Sequence, residues 1–294
     1  MKLRWLKYFL LLLLVFILGG GIYVYNYAMA RLAPRPSMKD SPTSFIGFNH
    51  IGVSVLDLDK MLEFYQSATD YKIVKRYQVE GNSAANALFG MDSICYEIAV
   101  LKSPNMLLEL TEFDNQIDSI ASKMSFFGPG MTHTCYQGPV DDPVYNKFKN
   151  ADADILSRGD GPVEVSGARV SYAYGYDPEG NMMELEHMPD MLIRLAIGKK
   201  WSEENPIWMT QVALISHDLK RLTLFYEKVL EIAPYRVNSY GLNPIMDAIV
   251  DTDSVASYGA WFGMDTQGKK LEMMQFTHPI TSERQIPRNL TDLG

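Results

Sequence analysis

Residues 50–65, HIGVSVLDLDKMLEFY, and residues 211–226, QVALISHDLKRLTLFY, are two copies of one pattern, and this pattern decides the fold. Both copies begin with small and β-branched residues, which are typical of a strand. Both then cross an acidic turn into a segment with apolar residues at helical spacing that ends in Phe-Tyr. Because such self-similarity reveals repeated structural units, we predict a strand followed by an amphipathic helix at each place.

A third copy begins at Gly130 and completes a set of three modules. Its helix is predicted to open at Asp141-Asp142-Pro143, since proline suits the first helical position. Each module ends in a similar strand: 107–111, 182–186 and 271–276. Further strand candidates precede these at 96–101, 168–174 and 257–262. The sequence therefore predicts an α+β fold of repeated βαβββ modules. The predicted bounds are 45–188 for the first two modules, 189–207 for a connector, 208–277 for a third module and 278–294 for a tail.

The charge balance excludes one class of function and the cysteines exclude another. The chain has 294 residues with 27 Lys and Arg against 35 Asp and Glu, a net charge of −8. Without a basic run in its body, it is a poor candidate for binding nucleic acid. Cys95 and Cys135 form at most one bridge and no metal-binding CxxC motif.

The N-terminal segment, residues 1–31, carries a membrane signal. Three basic residues in the first seven precede Tyr8–Ala30, an uncharged stretch of 23 residues. As a helix it would be about 35 Å long, enough to cross a bilayer core of about 30 Å. We predict a retained single-pass transmembrane helix with the body on the exported face, joined by a linker over 32–44. The alternative is a signal peptide cleaved after Ala28-Met29-Ala30, which would leave a secreted or periplasmic protein.

Four polar residues occupy equivalent places in the first two modules: His50 and Glu109, then His133 and Glu184. Strand alternation turns each of them away from the apolar residues that meet the helices. Two carboxylates in one enclosed space repel each other, and a divalent cation removes that repulsion. Two imidazoles and two carboxylates suit one ion of zinc, nickel, cobalt, manganese or iron, so we predict a metal site here.

The arrangement resembles the vicinal oxygen chelate superfamily, which includes glyoxalase I, methylmalonyl-CoA epimerase, extradiol dioxygenases and bleomycin-resistance proteins. The resemblance rests on residues 48–51 with the Phe64-Tyr65 helix, and on residues 177–185, DPEGNMMEL. It implies that the two modules of residues 45–188 are paired into a cleft that encloses one metal ion and a small-molecule substrate. It also implies that Glu184 is the catalytic base, while His50, Glu109 and His133 hold the ion.

The third module departs from the pattern, because Gln211 stands where the others have histidine, although Glu272 keeps the carboxylate. We expect this module to be structural, either capping the domain or forming a homodimer by pairing with itself. Substrate contacts are expected from residues bordering the second closing strand. These are Tyr174, Tyr176, Glu186 and Cys135.

The resemblance implies an enzyme that acts as a metal-dependent lyase or isomerase through a metal-stabilised enolate. Two alternatives stay open. A ferrous extradiol-type dioxygenase would use His50, His133 and Glu184 as its ligands. A ligand-binding protein of the bleomycin-resistance kind would carry out no reaction.

Overall fold

The computed structural model describes residues 8, 18–22, 47–114, 125–139, 144–165, 170–188, 206–264, 269–281 and 291. The strands are β1 (His50–Val55), β2 (Lys72–Val79), β3 (Tyr96–Lys102), β4 (Leu107–Phe113), β5 (Gly130–Pro139), β6 (Asp154–Ile155), β7 (Val163–Val165), β8 (Val170–Tyr176), β9 (Met182–Met188), β10 (Trp208–Ile215), β11 (Arg236–Tyr240), β12 (Ala256–Gly263) and β13 (Lys270–His278). The helices with defined bounds are α1 (Leu58–Thr69), α2 (Ser83–Phe89), α3 (Val144–Asn150), α4 (Leu219–Leu230) and α5 (Pro244–Ile249).

In each of the three predicted modules, the first strand and the last strand pair parallel to each other. These pairs are β1 with β4, β5 with β9 and β10 with β13. Asp57 and Asp218, in the predicted acidic turns, cap α1 and α4 by accepting from the backbone N–H three residues on. The structure adds β2, β11, α2 and α5, which the sequence analysis did not resolve.

The pairing of the modules differs from the prediction. The first module forms a four-stranded sheet of its own in the order β1-β4-β3-β2. The second and third modules share a nine-stranded sheet in the order β11-β12-β13-β10-β5-β9-β8-β6, with β7 also on β8. The seam between them is an antiparallel pair of β5 and β10, the first strands of the two modules. The expected pairing of the first two modules within 45–188 is therefore wrong.

Packing on the apolar side of the first module explains this arrangement. Phe64 of α1 meets Phe148 of α3 with ring centroids 5.9 Å apart, and Tyr65 meets Tyr136 at 6.1 Å. One continuous core runs from β1 and α1 through α3 to β9, β10 and β13. The apolar side of the first module is buried against the second and third modules, and its sheet does not join theirs.

No helix among the described residues is long and apolar enough to span a membrane. Most of the predicted membrane segment at 8–30 lies outside the described residues, as do the linker at 32–44 and most of the connector at 189–207. Cys95 and Cys135 are both free thiols.

Candidate metal centre

Four neighbouring strands of the nine-stranded sheet bring four polar side chains together. His133 lies on β5, Glu184 on β9, Gln211 on β10 and Glu272 on β13. These strands are consecutive in the order β13-β10-β5-β9. All four residues are buried. The cluster therefore lies across the seam between the second and third modules.

The distances within the cluster are short. His133 Nε2 lies 3.6 Å from Glu184 Oε2 and 3.5 Å from Glu272 Oε2. The amide of Gln211 donates to both carboxylates, at 2.6 Å to Glu184 and 2.5 Å to Glu272. One histidine and two carboxylates thus converge on one point from three strands.

This donor set fits a divalent metal ion. Among the described residues, the buried His133 Nε2 has no hydrogen-bond partner. One ligand atom from each of His133, Glu184 and Glu272 lies within 4.8 Å of the others. Ligand atoms bound at about 2.1 Å to one ion lie roughly 3–4 Å apart, so the observed spacing suits a shared ion. Rotation of the Gln211 amide by half a turn would present its oxygen as a fourth ligand, since the two amide atoms are interchangeable in shape.

The electrostatics of the cluster follow from burying two carboxylates beside one imidazole. Burial raises the pKa of Glu184, and the neighbouring His133 partly offsets that rise. Burial lowers the pKa of His133, but Glu184 and Glu272 outweigh it and raise that pKa to about 9. The site therefore favours positive charge between the carboxylates, which a proton supplies in part and a divalent cation supplies in full.

The imidazole of His133 is held in place by its neighbours. Its Nδ1 lies 3.3 Å from Thr132 Oγ1, so Nε2 faces the carboxylates. The ring of Phe126 stacks on it at 6.0 Å, and Tyr174 meets it edge-on at 5.1 Å. Contacts of this kind fix the direction in which a ligating nitrogen points.

The cluster opens into a cavity of about 600 Å³ on one face of the nine-stranded sheet. Its wall includes three residues of the cluster, Glu184, Gln211 and Glu272. The remaining wall is largely apolar and aromatic, with charges supplied by Glu186, Arg236 and Lys270. An apolar cavity with a few convergent polar groups is the usual form of a small-molecule site.

The carboxylate of Glu186 is fixed in the cavity wall by neutral donors. Gln137 Nε2 donates to it at 2.7 Å and the Tyr172 hydroxyl at 3.0 Å. The thiol of Cys135 lies 3.9 Å from the same carboxylate. Glu186 is thus a positioned acceptor beside the cluster of His133, Glu184, Gln211 and Glu272.

The structure brings two of the four predicted ligands to this cluster. His133 and Glu184 belong to it, whereas His50 and Glu109 lie in the four-stranded sheet. His50 is exposed and Glu109 is partly exposed. The dioxygenase set also depended on His50, and the structure does not place that residue beside His133 and Glu184.

The third module does more than the capping role expected for it, because it supplies Gln211 and Glu272 to the cluster. Its first strand, β10, is already paired with β5, so self-pairing through that strand is closed to it. The signal was present in the sequence, since Gln211 and Glu272 occupy the places of His133 and Glu184 in the repeat. Arg236 carries no such signal, because it reaches the cavity only through the long-range pairing of β11 with β12.

The predicted substrate contacts divide in the same way. Tyr174 and Glu186 line the cavity. Tyr176 and Cys135 are not among its lining residues, and Cys135 is fully buried against Glu186.

The fold is similar to that of solved glyoxalase structures. A single-site variant of glyoxalase I from Zea mays matches with a TM-score of 0.52 and 21% identity, over 79% of this chain and 68% of that one. Glyoxalase I from Zea mays matches with a TM-score of 0.50 and 21% identity, over 77% of this chain and 66% of that one. No protein-family profile matches the sequence, and no curated protein matches it either. The chain therefore has the fold of these glyoxalase I structures, which is the fold that the resemblance of its sequence implied.

Proposed function

We propose that the protein is a metal-dependent lyase or isomerase that acts on a small oxygenated molecule in the 600 Å³ cavity. The observation that carries this proposal is the convergence of His133, Glu184 and Glu272, all buried, with the two carboxylates in the wall of that cavity. When bound there, a divalent ion would act as a Lewis acid on adjacent oxygens of the substrate. His133, Glu184, Glu272 and the rotated amide of Gln211 would hold it.

In this proposal the carboxylate of Glu184 accepts a proton from the carbon beside a substrate carbonyl and later returns it. Glu184 lines the cavity, so a bound molecule can reach it. The largely apolar part of the wall offers few hydrogen bonds to water, which would strengthen the charge interactions at the reacting atoms. Tyr174, against His133, closes one side of the site.

The proposal is tested by measuring metal and proton exchange on the same preparations. The full chain, reconstituted with Zn²⁺, Ni²⁺ or Mn²⁺, is expected to hold about one ion, and His133→Ala is expected to hold none. The metal-loaded parent is then incubated in deuterated water with 2-oxo and 2-hydroxy carbonyl compounds. Deuterium entering beside the carbonyl, absent with Glu184→Gln, would support proton transfer.

The opposite results are equally informative. A parent without metal, or with the same content after His133→Ala, would leave only a binding role. Oxygen consumption with ferrous iron and a catechol would replace the lyase proposal by the dioxygenase.

Membrane anchoring through residues 8–30 is a separate proposal, based on the uncharged sequence of that segment. Extraction of membranes with carbonate is expected to leave the full chain in the pellet and to release a chain that starts at Ser41. Release of both would contradict anchoring.

A further inference from the structure

Arg236 stands in the cavity wall as a rigidly supported cation. It lies on β11 opposite Trp261 of β12, and its guanidinium carbon is 4.4 Å from the centre of the indole ring. The guanidinium also donates to the hydroxyl of Tyr240. Gly259 makes room for the indole, since a Cβ there would collide with the ring. Stacking and hydrogen bonding of this kind hold a guanidinium ready for a ligand.

The charge of Arg236 is not neutralised by the described residues. Its partners there are the rings of Trp261 and Tyr240, the Tyr240 hydroxyl and, after rotation of its amide, the oxygen of Asn238. All of these groups are neutral. A guanidinium presents parallel N–H groups that match the two oxygens of a carboxylate, and it favours such a partner where water is scarce.

The sheet register sets the distance between Arg236 and the metal cluster. Arg236 pairs with Trp261, and Trp261 pairs with Glu272. Since neighbouring strands are about 4.8 Å apart, the Arg236 backbone lies about 10 Å from that of Glu272. The wall between them includes the indole of Trp261. A ligand that touches both ends therefore needs a short, partly apolar middle.

The carboxylate of Glu186, in the cavity wall, lies on the other side of the cluster from Arg236. Glu186 is on β9, and β5, β10, β13 and β12 separate this strand from β11. A substrate anion would be repelled at Glu186 and attracted at Arg236, so the cavity is polarised along the sheet. The polarity gives a bound molecule one preferred direction.

We propose that the substrate is a carboxylic acid whose carboxylate binds Arg236 while its adjacent oxygens meet the cluster of His133, Glu184 and Glu272. This inference rests on the proposed metal-dependent function, since the cluster supplies the second point of attachment. Arg236 is in this view a specificity residue for the carboxylate end and takes no part in proton transfer.

The test uses two probes that differ only in a carboxylate. Benzohydroxamate carries a chelating group on an aromatic ring, and 4-carboxybenzohydroxamate adds a carboxylate at the opposite end. Both are titrated calorimetrically into the Zn²⁺-loaded full chain. The carboxylated probe is expected to bind at least about tenfold more tightly, because a hydrogen-bonded pair of opposite charges contributes a gain in affinity of about this size.

Arg236→Gln is expected to abolish this difference while leaving zinc content and the affinity for benzohydroxamate unchanged. Arg236→Lys, which keeps the charge and loses the fork, should retain part of the difference, and it decides the matter if Arg236→Gln does not fold. Arg221→Gln, at an exposed position of α4, is the matched control and should behave as the parent.

Each other result overturns the inference. Equal affinities of the two probes for the zinc-loaded parent would remove the carboxylate site and leave the metal function standing. A preference that persists in Arg236→Gln would assign the carboxylate to another cation, such as Lys270. A zinc-free parent that binds neither probe would overturn the proposed function and this inference together.

Discussion

His133 Nε2 lies 3.5 Å from Glu272 Oε2, although the two residues belong to different modules and are far apart in the chain. The contact exists because β5 and β10 pair antiparallel at the centre of the nine-stranded sheet. It joins the second module, with its histidine, to a third module that has glutamine in the equivalent place. The candidate metal centre therefore depends on the pairing of β5 with β10.

The position of the cluster at the pairing of β5 with β10 predicts that the carboxylate of Glu272, and not that of Glu109, contributes to metal binding. Glu272→Gln removes a ligand and is expected to lower the affinity for Zn²⁺ by at least about 100-fold, measured by competition with a chelating dye. Glu109→Gln is the matched control, since Glu109 holds the same place in the first module but lies in the other sheet. It should leave the affinity unchanged. An equal loss in both variants would contradict the assignment of the site to the seam.

The anchoring of Glu186 predicts a coupled effect on stability. Gln137→Leu removes the 2.7 Å hydrogen bond to the buried carboxylate, so the free energy of unfolding should fall by about 1–3 kcal/mol. Adding Glu186→Leu removes the carboxylate that has lost this donor, and the double variant should lose less than the sum of the two single losses. Chemical denaturation of the four proteins measures this. Strict additivity would show that the two side chains do not interact.

The sequence predicts well the module and its half-site, which is the His or Gln of the first strand together with the glutamate of the closing strand. In all three modules the residue two positions after the His or Gln pairs with the glutamate of the closing strand. The register pairs are Gly52 with Glu109, Cys135 with Glu184, and Ala213 with Glu272. Local alternation and repeat spacing contain this information.

The sequence does not predict which two half-sites meet. All three first strands follow the same local rules, and the partner of each is decided by packing between distant elements. Contacts such as Phe64 with Phe148 place the first module against the other two, which leaves β5 and β10 to each other. The helix faces show the same limit, since Phe225 and Val229 have the spacing of a core face yet are 57% and 55% exposed.

Asp247 of α5, beside the cavity, predicts a pH dependence of stability. Hydrogen bonds from the backbone of Val255 and Ser254 lower the pKa of its carboxyl. A carboxyl whose folded pKa is depressed stabilises the fold above its unfolded pKa, and that contribution is lost as pH falls through the folded pKa. The parent should therefore have a higher Tm than Asp247→Asn near neutral pH, and the gap should close as pH is lowered below about 4. A gap that stays constant down to pH 3 would contradict this.

The repeated Phe-Tyr motif predicts opposite outcomes at its two places. Phe64 is 4% exposed and packs on Phe148, whereas Phe225 is 57% exposed. Phe64→Ala should lower the free energy of unfolding by about 3–5 kcal/mol, because it leaves a cavity where α1 meets α3. Phe225→Ala should change it by less than about 1 kcal/mol, since a surface substitution removes little buried area. Denaturant unfolding of both variants of the full chain measures the difference. A large loss in Phe225→Ala would mean that the exposed face of α4 is covered in the folded protein, and it would make that helix an interface.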